Sequence, residues 1–434
     1  MPGKELIKPE YKTGFMDQRK AYLVLAAITL TVFTVKAFPV AQASTVPPGW
    51  VDTSYHTSTA LDVSRGNIDS LMHPWWHVKG NSVTVDGLAV IDRESETFYY
   101  PPFLHLFIAA FMLVLPAGLA TILSVSLLYS LSVPASYLLA RSYRIANRPA
   151  LLGAGLTGSS LPLLRSQLMG FWSFASAFIF GTLAFSFYRI NRERSDRRYL
   201  AGYLATGLAS ALTHWVFGAF VVGLPVLDTL IEGKELDWKI PGTMLALLLP
   251  NYLLFFATSS IGNYTATSFN GFYPWIGPVI AVAGLAISWK RYRAVNLLLF
   301  GTLAAMTAYY LGVPLPFGGM LQFALPLLAG FQFAAIYRES PERFRQPLAV
   351  IAAAAILFGL LAQIPAGRNA GRAITEEQFH ELIDARDELP DRIIAGRGIG
   401  SWVTLASRDR RILSPFQEYS TSRLDPKKFH VLNP

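Results

Sequence analysis

Apolar stretches of close to twenty residues, parted by short basic loops, recur through this chain as far as residue 366. A bilayer's hydrocarbon core, roughly 30 Å thick, is crossed by about 20 apolar residues in a helix. That alternation constrains the fold more than any single motif, and it predicts a mainly α, polytopic helical membrane protein. Charged residues make up only 15% of the chain, against about 25% in soluble domains. A soluble enzyme, a disordered tail and a fibrous repeat are thereby excluded. The absence of cysteine rules out disulfides, iron–sulfur clusters, thiol nucleophiles and thiolate zinc sites.

Charge placement sets the expected orientation. The first span is read over residues 21–40, behind Lys4, Lys8, Lys12, Arg19 and Lys20. Ala41-Gln42-Ala43 is similar to a signal-peptide cleavage site, but the long basic leader and Lys36 inside the apolar run favour a retained helix. Residues 41–101 then form a polar, mostly non-helical outer loop. It holds Asp52, Asp62, Asp69, Asp86, Asp92, Glu94 and Glu96 against Arg65, Lys79 and Arg93. Residues 102–116 would span only roughly 22 Å as a helix, too little for a crossing, so they are read as an interfacial helix.

The further spans are 118–140, 149–164, 168–188, 199–214, 216–231, 241–257, 273–289, 294–311, 318–337 and 347–366, about 11 in all. This arrangement puts 21 basic residues in cytoplasmic segments and leaves only Arg165 and the three in the first loop outside before the tail. The net charge of +9 thus records orientation and gives no sign of nucleic acid. Residues 1–366 form the transmembrane domain, with a cytoplasmic N-terminus. Residues 367–434 form a small α/β extracytoplasmic C-terminal domain. It has a helix over Thr375–Leu389 capped by Thr375, then short strands around Gly396, Gly398 and Gly400.

All seven histidines fall outside or at an outer span end, and so do the clustered acids of the first loop. Within spans only Lys36 and Asp228 are ionisable, each near an end, where snorkelling accounts for them. The first loop opens with Trp50-Val51-Asp52-Thr53-Ser54-Tyr55-His56 and closes with Tyr99-Tyr100-Pro101-Pro102-Phe103-Leu104-His105. A carboxylate just above the membrane beside His and Tyr suits general-base chemistry on a hydroxyl, which makes Asp52 and His56 the catalytic candidates. The same spacing is met if Asp52 caps a short helix and His56 packs on it. Asp52, His56, Asp86, Asp92 and Glu94 share one loop, and their donors suit Mg²⁺ or Mn²⁺, though no fixed ligand spacing is present.

These features, together with Leu138-Leu139-Ala140-Arg141-Ser142-Tyr143-Arg144 leaving the second span and Thr213-His214 at an outer span end, resemble polytopic glycosyltransferases of the GT-C type. That superfamily includes oligosaccharyltransferase catalytic subunits and protein O-mannosyltransferases. The resemblance covers residues 20–220 by motif and the rest by architecture. It implies a sugar on a polyprenyl phosphate as donor, a glycan, lipid or protein as acceptor, contact with membrane lipids, and Asp52 as the acceptor's base. It further implies a substrate cavity lined by Tyr55, Tyr100, His105 and His214, with Arg165 either on the lipid phosphate or snorkelling. No Trp-Trp-Asp-type motif is present, since Trp75-Trp76 is followed by His77, and the tail is short. A single-sugar transferase fits better than an oligosaccharyltransferase. A lipid or polysaccharide transporter or flippase, and a non-catalytic glycan-assembly subunit, are the other readings.

Overall fold

The computed structural model describes residues 17–49, 51–71, 78–85, 88–95, 101–258, 277–311, 313, 318–372, 374–384, 392–395, 411–415 and 430–432. Helices dominate it. The chain enters on α1 (Gln18–Ala43), whose N-cap Asp17 accepts from the Arg19 amide at 3.2 Å. After α2 (Val51–Ser64) and a 3₁₀ turn (Ile68–Leu71), a hairpin of β1 (Val78–Val85) and β2 (Leu88–Ser95) leads towards α3 (Phe103–Met112). The bundle continues through α4 (Ala117–Ser130), α5 (Ser132–Ser142), α6 (Asn147–Gly158), α7 (Leu161–Met169), α8 (Trp172–Arg194) and α9 (Arg197–Ala211). It closes with α10 (Val216–Ile231), α11 (Lys239–Thr258), α12 (Gly277–Ser288), α13 (Arg293–Tyr310), α14 (Leu325–Glu339) and α15 (Glu342–Arg368).

Among the described residues, α1, the run Ala117–Ser142, α8 and α15 are each long and apolar enough to cross a membrane. Leu245, Leu253, Val279, Val282, Phe358 and Leu361 on α11, α12 and α15 stay exposed. An exposed apolar belt of this kind belongs against lipid, and with these helices it marks an integral membrane protein.

Several boundaries differ from the sequence reading. The stretch read as a span over 149–164 stops at Gly158 and restarts as α7, and the next helix begins at Trp172 rather than 168. Pro162 has no N–H to continue α6, yet it is well placed in the first turn of α7. Gly170, at φ +91°, then ends α7. The stretch read as 318–337 is a 3₁₀ turn (Gly318–Phe323) followed by α14, which starts beside Pro326. The first loop, read as mostly non-helical, contains α2.

Small residues set the closest packing. A Cβ on Gly153 of α6 would collide with the Gly330 carbonyl oxygen of α14, and one on Gly330 would meet the Gly153 oxygen. Thr157 bonds across the same contact, donating to Ser136 Oγ at 3.0 Å and to the Pro326 carbonyl at 3.1 Å. Small-residue contacts of this kind let helices associate where water offers no hydrophobic drive.

Neither ionisable residue within the spans snorkels. Asp228 is 1% exposed and held by two arginines of α8. Lys36 is 0% exposed, and its Nζ has no hydrogen-bond partner among the described residues. An unpaired buried amine opposes folding. Lys36→Met is therefore expected to raise stability by about 1–3 kcal/mol, read as the unfolding midpoint in detergent. A lower midpoint would mean that Nζ has an acceptor in the folded protein.

At the end of α1 the chain is strapped to the segment after α15. Arg372 donates to the carbonyls of Val40 and Val46, both at 3.0 Å. Glu376 accepts from Ser44 Oγ at 3.3 Å and from the Thr45 hydroxyl and amide. Helix α16 (Glu376–Asp384) opens on a capping box: the Gln378 amide donates to Thr375 Oγ1 at 3.2 Å, and the Thr375 amide donates to Gln378 Oε1 at 2.9 Å. Its expected continuation to Leu389 lies outside the described residues, as do Gly396, Gly398 and Gly400. Strands β3 (Arg392–Ala395), β4 (Arg411–Pro415) and β5 (His430–Leu432) join the first-loop hairpin in one sheet, ordered β1-β2-β4-β3-β5. The junction is antiparallel, with Val90 opposite Pro415 and Arg93 opposite Ile412.

Candidate functional site

Helix α2 has the wrong composition for a buried helix, and it is buried. Thr53, Ser54, Tyr55, His56, Thr57, Ser58 and Thr59 are all less than 5% exposed. Polar side chains are withdrawn from water only where they find partners or serve a site. The turn into α2 needs Gly49, whose φ is +114° and where a Cβ would run into the Thr53 side chain. Thr53 Oγ1 in turn donates to the Pro48 carbonyl at 3.0 Å. Asp52 is the second residue of α2; its side chain lies outside the described residues.

Packing of α2 on α3 brings two expected site residues into direct contact. His56 Nδ1 and His105 Nε2 are 2.9 Å apart, with both rings buried. Tyr55 closes the group, its ring centroid 5.1 Å from that of His105. Trp172, at the first turn of α8, stacks on His56 at 5.7 Å and an interplanar angle of 26°. The indole N–H donates to the Gln167 carbonyl at 2.7 Å, which fixes the plane of that ring. The Phe103 amide donates to the Leu212 carbonyl at 2.8 Å, tying the start of α3 to the end of α9. Thr213 and His214 follow there, and the His214 ring lies edge-on to Phe174 at 5.8 Å and to Phe217 at 5.9 Å.

The electrostatics of this group follow from its dryness. Burial pushes His105 and His214 from 6.5 down to about 3. His56 is held well below the ordinary histidine value by burial first, then by the charges that His105 and His214 would carry. The three imidazoles are therefore neutral near pH 7, and His56 and His105 share a single N–H. A neutral imidazole pair orients its neighbours by hydrogen bonds; it does not hold a phosphate by charge.

In the unfolded chain these groups take protons near 6.5, but in the fold His105 and His214 do so only near 3. The unfolded state therefore binds more protons between those values, and stability falls as pH drops below 6.5. The slope is at most about 1.4 kcal/mol per pH unit for each histidine. Unfolding midpoints from pH 7 to pH 5 should fall more steeply for the wild type than for a His56→Phe/His105→Phe variant. Equal slopes would contradict the assignment.

The remaining expected site residues fall elsewhere. Arg165 is exposed on α7 and so is not part of the buried group. Tyr100 and Asp86 lie outside the described residues; Asp92 and Glu94 sit on β2, with their side chains outside the description. Among the described residues no three His, Asp or Glu groups gather as metal ligands. Sequence reasoning missed Trp172 and Phe174. The available signal was an aromatic cluster, Phe171-Trp172 with Phe174, just after Gly170 at a span start.

Neither known family profiles nor curated sequences match this chain. Solved structures do. The apo oligosaccharyltransferase of Archaeoglobus fulgidus aligns with a TM-score of 0.57 at 13% identity, over 92% of this chain and 65% of its own length. The same organism's AglB, in complex with an inhibitory peptide and a dolichol-phosphate, aligns at 0.52 and 12% identity over 90% of this chain and 64% of that one. ArnT from Cupriavidus metallidurans bound to undecaprenyl phosphate gives 0.53 at 12% identity, over 90% of this chain and 86% of ArnT. The chain thus spans a little under two thirds of the oligosaccharyltransferase and most of ArnT, and what it shares with these polytopic GT-C glycosyltransferases is their fold.

Proposed function

We propose that the protein is a membrane glycosyltransferase that moves a sugar from a polyprenyl-phosphate donor to an acceptor hydroxyl at the extracytoplasmic face. In this reading Asp52 takes the proton of the acceptor hydroxyl. The freed oxygen bonds to the anomeric carbon, and the bond from that carbon to the phosphate oxygen breaks. Its electron pair leaves with the lipid phosphate, and attack from the face opposite the departing oxygen inverts the anomeric centre. The His56–His105 contact fixes α2 on α3, and Tyr55, Tyr100, His105 and His214 line the acceptor side. Arg165, exposed on α7, meets the departing phosphate.

The observation carrying this reading is the buried polar α2 packed on α3 within a fold shared with ArnT and the oligosaccharyltransferase. Those neighbours are structures holding undecaprenyl phosphate and dolichol-phosphate, which supports a lipid phosphate on the donor. The single-sugar reading rests on the missing Trp-Trp-Asp-type motif, since Trp75-Trp76 is followed by His77. About 11 spans, with the N-terminus cytoplasmic and the tail outside, complete the proposal; a cytoplasm-only reporter active at Pro434 would refute that orientation. Transport is less well supported, because Asp228 is already saturated by arginines.

The test is mass spectrometry of envelope glycans from cells with the wild-type chain, without it, and with Asp52→Asn. The expected result is one sugar missing in the last two. Identical glycans with and without the chain would end the sugar-transfer reading.

A further inference from the structure

At the far end of the bundle from the histidines lies a cavity of about 390 Å³. From Trp172 to Arg189 helix α8 rises roughly 25 Å, which separates the two ends by most of a membrane. Lys234, Lys290, Arg291 and Arg293 line the cavity, together with Tyr143, Asp228 and Glu232. Its two carboxylates are already committed. Asp228 is bound by Arg189 and by Arg192 at 3.0 Å, and Glu232 by Arg189 at 2.9 Å, Arg192 at 2.6 Å and Lys234 at 2.9 Å. Arg291 pairs with Glu339 at 2.7 Å. Among the described residues no carboxylate pairs with Lys290 or Arg293. Four cations (Lys234, Lys290, Arg291 and Arg293) thus line the cavity against two acids that Arg189 and Arg192 also hold. The basic residues of the α10–α11 and α12–α13 connections meet at one concave site.

The surroundings define what kind of anion fits. Trp289, at the turn between α12 and α13, is exposed, as aromatic residues at a membrane interface are. Leading away from the cavity, Ile287, Val282 and Val279 on α12, with Leu297 and Phe300 on α13, are exposed and apolar. An anion with two acyl chains meets both features: its headgroup phosphate sits between Lys290 and Arg293, and its chains run down α12 and α13. A soluble phosphate would use only the first.

We propose that this cavity binds the phosphate headgroup of an anionic glycerophospholipid from the leaflet at that end. The proposal rests on the bundle lying in a bilayer and is independent of the sugar-transfer reading.

The test uses the full chain in phosphatidylcholine nanodiscs, with phosphatidylglycerol titrated in and bound lipid counted by native mass spectrometry. Saturable binding is expected for the wild type. Lys290→Gln/Arg293→Gln should weaken it by roughly tenfold or more, from about 1 kcal/mol per basic residue near a charged membrane. Both side chains are exposed, and an unchanged unfolding midpoint in phosphatidylcholine alone confirms the fold. Arg343→Gln, at the start of α15 on the same end and outside the cavity, should leave binding intact. An equal loss with Arg343→Gln would reduce the effect to diffuse charge and overturn the site. Undiminished binding by the double variant would do the same. Displacement of the lipid by millimolar inorganic phosphate would make the ligand a soluble anion and overturn the lipid assignment.

Discussion

Asp228→Ala is expected to destabilise the folded protein by about 3–5 kcal/mol, the usual result of removing one partner from a buried ion pair. Arg189 would keep Glu232, but its guanidinium lies 3.7 Å over the Tyr143 ring with a side chain only 6% exposed, so water cannot replace the lost carboxylate. Tyr143 Oη, which donates to Asp228 Oδ1 at 3.3 Å, would lose its acceptor too. Glu232→Gln should cost no more than about 1 kcal/mol, because that carboxylate is 28% exposed and water screens it. The contrast is read as two unfolding midpoints in detergent. Equal losses would mean that the cluster acts through its summed charge and not through Asp228. Transport activity, were it present, would have to survive in a residue that serves as this structural anchor.

Asp52→Asn should leave the chain folded in the membrane and cut sugar transfer by about 10²–10⁴-fold, the usual contribution of a positioned general base. Asparagine keeps the size of the side chain and an acceptor oxygen while removing proton affinity, so the start of α2 should remain intact. Membrane abundance and the unfolding midpoint serve as controls. If the variant retains more than a tenth of wild-type transfer, the base lies elsewhere, although a difference between cells with and without the chain would still stand. If transfer is lost together with the midpoint, Asp52 acts on the fold, as an acidic residue in the first turn of α2.

Much of the fold was legible because lipid leaves few options. A backbone in hydrocarbon must satisfy its own hydrogen bonds, so apolar length and basic loops locate helices; residues 216–231 match α10 to the residue. Breaks inside apolar runs were harder to read. Nothing in hydropathy separates α6 from α7, and the break depends on Pro162 and on Gly170 adopting positive φ. A short helix near Asp52 stood only as an alternative, because Val51–Ser64 has no apolar stripe to mark it; its polar residues 53–59 are buried by tertiary packing. The sequence placed the histidines together at one set of span ends, but the pairing of His56 with His105 could not be read from it. Forty-nine residues separate them, and only the packing of α2 on α3 decides which ring nitrogens meet. Lys36 and Asp228 were misread for a related reason. Snorkelling assumes a free path to the interface, and neighbouring helices have closed that path.

The strap between the end of α1 and the segment after α15 has a consequence for biogenesis. Ser44, Thr45 and Val46 leave the ribosome more than 300 residues ahead of Arg372 and Glu376. At 5–20 residues per second, the early segment waits roughly 15–60 seconds before its partners are even synthesised. During that interval the polar loop carrying α2 and the hairpin has neither its strap nor the strands that extend its sheet. It must remain soluble, uncleaved and unpaired while every intervening helix is inserted. The strapped end of the molecule is therefore the last part to mature, and a chain arrested before residue 372 would carry a complete bundle beneath an unfinished roof.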